Sequence, residues 1–323
     1  MPRRDPAGSA GGAREARPQE LVVGTRASSL ARWQSEHVVK RLTAVWGRRV
    51  RCRLQNVSSA GDRDPRPLPE IGGKGVFTEV LEHGLLEGRY DFAVHSLKDL
   101  PVSSHAGLTL AAILSREDVR DVLVSRDGRT LAELERGAMV GTSSLRRQSQ
   151  LLAARPDLQV SSIRGNVDTR IEKVDRGDYD AVVLAAAGVR RLGLEERVCE
   201  WLPIGTMLPA PGQGALAVQC RSEDAGLLDV LGELDDPKAR RPVEAERSFL
   251  SGLGGGCSVP VAAFGTLERP NGSSKLWLRG LVASPDGREV VRVEGESDDG
   301  VELGRELAAE ALERGAGRLL GVG

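Results

Sequence analysis

Lysine is scarce in this chain, with six residues (40, 74, 98, 173, 238 and 275) among 45 basic side chains, which leaves 39 arginines. Cysteine and histidine are scarcer, at four each, and Cys52, Cys199, Cys220 and Cys257 share no C-x-x-C or cysteine–histidine spacing, so a metal site is not expected. The net charge of −1 gives no field that would gather nucleic acid or hold a membrane surface. No apolar run approaches a membrane span, and the amino terminus lacks the apolar core of a signal peptide. A cytoplasmic protein with no membrane or nucleic-acid partner is therefore expected. Walker and G-x-G-x-x-G patterns are missing too, since Gly72-Gly73-Lys74-Gly75 is too short to count as either.

What remains is a chain of 323 residues with 40% hydrophobic content, enough for two or three domains with cores of their own. Residues 1–19, rich in Pro, Gly, Ala and Arg, read as a disordered tail. Leu21-Val22-Val23 reads as a strand that turns at Gly24-Thr25-Arg26 into a helix led by Ser28. A strand at 50–57, a helix at 75–87 and a strand at 91–94 running into His95-Ser96-Leu97-Lys98-Asp99 follow. The plan restarts at Asp121-Val122-Leu123-Val124, and Val140-Gly141-Thr142 echoes Val23-Gly24-Thr25. A strand at 158–163, a helix after Asn166 and a buried strand at 180–185 follow. This alternation is α/β. The strand at 215–218 is expected to return to the first sheet. After 237 come a helix at 241–252, strands at 261–268, 275–284 and 289–296 joined by a hairpin at Pro285-Asp286-Gly287, and a helix at 301–315. The expected units are 20–115 with 212–233, then 116–211, then a small α+β unit at 237–323.

Helix amino termini expose unpaired N–H groups, so Ser28, Ser144 and Asn166 each open a segment suited to an anion. Arg26, Arg146, Arg147, Arg164 and Arg170 stand beside them, and planar guanidinium forks suit carboxylates. Solvated helix faces and simple caps are the other reading of the same residues. Lys98-Asp99 follows a strand end, where open α/β sheets place functional groups. Asp99 would stabilise a developing cation there, or form a surface ion pair. Asp62, Asp118 and Asp121 read as turn and cap residues. Cys257, in Gly254-Gly255-Gly256-Cys257-Ser258, reads as a covalent anchor or as a buried thiol.

In order along the chain stand Gly24-Thr25-Arg26, Gly72-Gly73-Lys74-Gly75, Val94-His95-Ser96-Leu97-Lys98-Asp99, Gly141-Thr142-Ser143-Ser144-Leu145-Arg146-Arg147, Arg164-Gly165-Asn166-Val167, Pro211-Gly212-Gln213-Gly214 and Gly255-Gly256-Cys257. Over about residues 21–265 this series closely resembles the porphobilinogen deaminase (hydroxymethylbilane synthase) family. The resemblance implies two periplasmic-binding-protein-like α/β domains with a hinged cleft, plus a small C-terminal α+β domain carrying the cysteine loop. It implies a dipyrromethane cofactor joined by thioether to Cys257, onto which four porphobilinogen units condense before release as a linear tetrapyrrole. Asp99 would bond pyrrole N–H groups and stabilise the azafulvene-like cation, with Lys98 and Ser96 beside it. Arg26, Ser28, Lys74, Thr142, Ser143, Ser144, Arg146, Arg147, Arg164, Gly165, Asn166, Arg170, Arg191 and Gln213 would bind the carboxylate-rich cofactor and substrate. A monomer is expected.

A two-lobed binding protein for a small dicarboxylate is the competing reading, since fold alone does not decide function. Cys257 and Asp99 separate the two, because a binding protein needs neither tether nor reacting carboxylate. A cysteine-nucleophile hydrolase is a third reading, for which no motif supplies a base near Cys257.

Overall fold

Leu21 and Val23 are buried on one face of the first strand, β1 (Gln19–Arg26), so Gln19 belongs to the sheet and not to the amino-terminal tail. Ser28 caps α1 (Ser29–Trp46), its hydroxyl accepting from the Ala31 N–H at 3.3 Å, a bond typically worth about 1 kcal/mol. The computed structural model describes residues 19–57, 78–103, 105–254, 259–267 and 275–321. The expectations for residues 1–18, Asp62, the Gly72–Gly75 run with Lys74, and Cys257 lie outside these.

β2 (Val50–Val57) and β3 (Phe92–Ser96) flank β1 in parallel, β10 (Leu216–Arg221) runs antiparallel to β3, and β4 (Leu108–Ile113) closes the edge. The strand expected to return does so, between β3 and β4. Val38 and Leu42 of α1 pack with Phe92, Val94 and Val218 on one face. Leu81 and Leu85 of α2 (Glu79–Leu86) pack with Tyr90 and Ala93 on the other. Each fully buried aliphatic side chain contributes about 1.5–3 kcal/mol to this core.

The second sheet repeats the plan. β6 (Met139–Gly141), β7 (Gln159–Ser161) and β8 (Ala181–Ala185) are parallel, β5 (Asp121–Ser125) runs antiparallel to β8, and β9 (Glu200–Trp201) lies outside. Its order, β7-β6-β8-β5-β9, corresponds to β2-β1-β3-β10-β4 of the first, with the antiparallel strand in each arriving from a crossover. Its helices are α3 (Leu145–Ala154), α4 (Val167–Asp175) and α5 (Ala186–Arg191). α6 (Ala225–Gly232) lies against the first sheet.

Two crossovers join these units. Gln213, wholly buried on the second, donates to the Val119 carbonyl of the first at 2.8 Å. Gly214 stands at φ 90°, and a Cβ there would lie 2.5 Å from the Glu117 carbonyl oxygen, so both conformation and space demand glycine.

The third unit is an antiparallel sheet of β11 (Val261–Thr266), β12 (Leu276–Ala283) and β13 (Val290–Ser297), covered by α7 (Pro237–Gly252), α8 (Gly300–Glu313) and the short α9 (Ala316–Leu320). α7 begins four residues before the expected 241, because Asp236 caps it with Pro237 in the first turn and Pro242 is carried inside. Phe249, Leu276, Leu278, Leu303 and Leu307 form this unit's core.

Candidate active site

β3 carries Ser96 at its end, and the chain then makes a 3-10 turn over Leu97–Asp99. Leu97 is wholly buried and its N–H donates to the Ala215 carbonyl at 3.0 Å, which pins the turn and leaves Asp99 exposed. Ser96 Oγ accepts from Gln34 Nε2 of α1 at 2.9 Å. Lys98 Nζ donates to Gln213 Oε1 at 3.2 Å. Burial pushes the Lys98 ammonium down to about 8; the Asp99 and Asp121 carboxylates oppose the shift, and Arg147 and Arg146 reinforce it.

Behind Lys98 lies the Asp121 carboxylate, which is not the turn or cap residue that its place in the sequence suggests. Asp121, wholly buried at the start of β5, accepts from Arg146 Nη1 at 2.7 Å and from Arg147 Nε and Nη2 at 3.1 and 2.8 Å. It also accepts from Gln213 Nε2 at 3.0 Å. Burial alone would raise its pKa, but the two guanidiniums hold it well below the usual carboxylate range. Arg146 and Arg147 are therefore not solvated helix-face residues. Arg146 Nη1 also reaches the Leu208 carbonyl, Arg147 Nη1 reaches the Val183 carbonyl, and Arg146 Nε is buried with no hydrogen-bond partner among the described residues.

The second unit supplies the opposite wall. Thr142 is buried and its Oγ1 accepts from the Ser144 N–H at 3.2 Å, while Ser144 Oγ caps α3 by accepting from the Arg147 N–H at 3.4 Å. Ser143 Oγ donates to the Ile163 carbonyl at 2.7 Å and accepts from its N–H at 3.1 Å, tying the end of β6 to the turn after β7. Asn166 stands at the cap of α4, yet its side chain makes no capping bond, unlike those of Ser28 and Ser144. Arg170 Nε donates to the Gly165 carbonyl at 2.8 Å. Gly165 has φ 117°, and a Cβ there would meet Thr169 at 2.9 Å.

Arg170 is the clearest sign of crowded positive charge. Burial and the Arg147 charge push it down to about 10, Asp99 opposes them, and Arg164 adds to the depression. The charge of Asp99 in the first unit is thus felt at Arg170 of the second. Arg26 closes β1, half-buried, on the first unit's side. Arg191, depressed to about 10 by burial with Glu117 opposing, donates from Nη2 to the Gly214 carbonyl at 2.7 Å. Its guanidinium lies 5.9 Å from the Trp33 ring, which in turn stacks on His37 at 5.0 Å.

Sequence reasoning missed Gln34 and undervalued Asp121. Gln34 is buried on α1, where an apolar period would place a hydrophobic residue, and that misplaced polarity was its signal. Asp121 gives the same signal by preceding the apolar run Val122-Leu123-Val124 in a wholly buried strand.

The family model described as "Porphobilinogen deaminase, dipyromethane cofactor binding domain" matches residues 21–229, and "Porphobilinogen deaminase, C-terminal domain" matches residues 241–313. A porphobilinogen deaminase of Brevibacillus brevis is 46% identical over 299 residues, covering 92% of this chain and 96% of its own length. Porphobilinogen deaminase 1 of Streptomyces coelicolor is 48% identical over 312 residues, covering 93% and 97%. A crystal structure of the Bordetella pertussis BvgS VFT2 domain aligns over 67% of this chain and 86% of that one, at 18% identity and a TM-score of 0.42.

Proposed function

This chain belongs to the porphobilinogen deaminase family, and we propose that the carboxylate of Asp99 is where its reaction takes place. The activity is a stepwise deaminative, head-to-tail condensation of four porphobilinogen units onto a dipyrromethane primer, releasing hydroxymethylbilane and ammonia. The observation that supports the placement is that exposed Asp99 and the Arg164 guanidinium both act on the charge of Arg170, which sets one acceptor for pyrrole N–H groups near guanidiniums suited to the ring carboxylates.

The residues present fit the cofactor. Arg170 is depressed by burial and neighbouring guanidiniums, and such crowding is relieved when carboxylates enter. Arg146 and Arg147 back this wall with two further guanidiniums, both paired with Asp121. When bound through a thioether to Cys257, dipyrromethane supplies the pyrrole carbon at which the chain is extended.

Asp99 offsets the positive charge left on each substrate as ammonia departs, a role for a carboxylate fixed beside the reacting centre. Lys98 sets the field beside it. Arg26, Arg164 and Arg170 bind acetate and propionate groups, with Lys74 and the Ser28 and Asn166 helix starts assisting. Arg146 and Arg147 act from behind the wall, and Thr142, Ser143 and Ser144 hold the turn that presents it. Ser96, Gly165, Arg191 and Gln213 position these groups. We place the enzyme in the cytoplasm as a monomer acting on a small molecule, with no nucleic-acid or membrane partner, in keeping with its near-neutral charge.

The test is an intact mass of the denatured protein, purified from cells that make porphobilinogen, beside that of Cys257→Ser, together with porphobilinogen consumption. The expected result is an increment of two linked pyrrole units that the variant lacks, and consumption by the parent alone. An unmodified parent chain that consumes no porphobilinogen would overturn the reading.

A further inference from the structure

Lys98, Gln213, Asp121 and the Arg146–Arg147 pair form one continuous hydrogen-bonded series from the first unit to the second, passing through a crossover. Its polarity is dictated from one end. A carboxylate accepts only, so the Gln213 group facing Asp121 is the Nε2 donor, which also serves the Val119 carbonyl at 2.8 Å. The Oε1 acceptor is thereby turned toward Lys98. Were Asp121 neutral, the Gln213 amide would keep its bond to the Val119 carbonyl but lose its charged acceptor, and the two buried guanidiniums would lose the carboxylate that pairs them.

We propose that Asp121 is a positioning residue for the reaction centre: it fixes the amide of Gln213, and through it the Lys98 ammonium beside Asp99, while holding Arg146 and Arg147 on the facing wall. Asp121 is wholly buried and acts only through these neighbours. This rests on Asp99 as the reacting carboxylate. The charged groups that bear on Lys98 are Asp99 on its own turn, Arg146 and Arg147 on α3, and Asp121 on β5. Asp121 arrives from the second unit, and its charge adds to the larger effect of Asp99 in keeping Lys98 protonated.

The chain has six lysines, so [ε-13C]lysine labelling of the full-length protein gives a spectrum in which Lys98→Arg assigns the Lys98 signal. In Asp121→Asn the Lys98 midpoint is expected to move down by about one pH unit, the size of shift a nearby opposite charge supports. The basic limb of kcat in the cofactor-loaded enzyme is expected to follow it. Gln213→Met leaves the Asp121–arginine pairs in place, and there too the Lys98 midpoint is expected to fall. An unmoved midpoint in Gln213→Met, or in a folded Asp121→Asn, overturns the proposal. A midpoint that moves while the limb of kcat stays would sustain the link from Asp121 to Lys98 and count against the reaction centre at Asp99.

Discussion

Arg116 and Glu246 meet through two parallel hydrogen bonds, Nη1 to Oε1 at 2.6 Å and Nη2 to Oε2 at 3.0 Å, with the carboxylate wholly buried. Glu246 also accepts from the Gly212 N–H at 2.7 Å and the Gly265 N–H at 2.8 Å. One side chain of α7 therefore ties both crossovers to the third unit. Removing its charge leaves a buried guanidinium uncompensated, which typically costs about 3–5 kcal/mol. Glu246→Gln is expected to lower the urea midpoint accordingly and to speed proteolysis between the third unit and the rest.

Asp99→Ala removes an exposed carboxylate that supports no core packing. The variant is expected to fold, to carry the two-pyrrole mass increment and to lose at least two orders of magnitude in turnover, in line with the loss of one electrostatic group aimed at the reacting centre. Porphobilinogen consumption alongside intact mass checks both, and near-parental turnover would remove Asp99 from the chemistry.

Lys98 is depressed to about 8, so its ammonium is present below that pH and lost above it. If the reaction uses that charge, kcat falls as pH rises through about 8. Lys98→Arg keeps the charge at every accessible pH, and its profile is expected to stay level through this range, whatever its absolute rate.

His95 is buried and held down to about 4, chiefly by desolvation, with the neighbouring Gln219 opposing and the Arg26 charge adding to it. The unfolded chain, with an ordinary histidine, binds its proton first as pH falls. Stability is therefore lost as pH drops from 6.5 toward 4, by about 2 kcal/mol between pH 7 and pH 5 for this one group. His95→Gln is expected to show less acid sensitivity than the parent in urea unfolding at those two pH values.

The repeated strand–turn–helix plan was legible because each copy carries its signals within a few residues. Thr25 and Thr142 are both buried where an interior strand gives way to its turn, and Ser28 and Ser144 both cap the helix that follows. The first turn of α7 was hidden by Pro242, a helix breaker on local grounds that tertiary packing carries inside the helix. At the site, charged residues next to glycine turns could be found from sequence. Which of them face outward could not, because the burial of Arg146 and Arg147 depends on an aspartate more than twenty residues away and on carbonyls from β8 and the second crossover.

The two five-stranded sheets differ in one respect that bears on their making. All strands of the second lie between Asp121 and Trp201, whereas the first needs Leu216–Arg221 inserted between β3 and β4. As the chain leaves the ribosome, the later sheet has all its strands while the earlier one still lacks the strand next to its β4 edge, with the facing edges of β3 and β4 unpaired. Amino-terminal domains ordinarily fold first during synthesis. Here the order of completion is reversed, and a nascent chain stalled just after residue 210 would hold a finished second sheet beside an open first one.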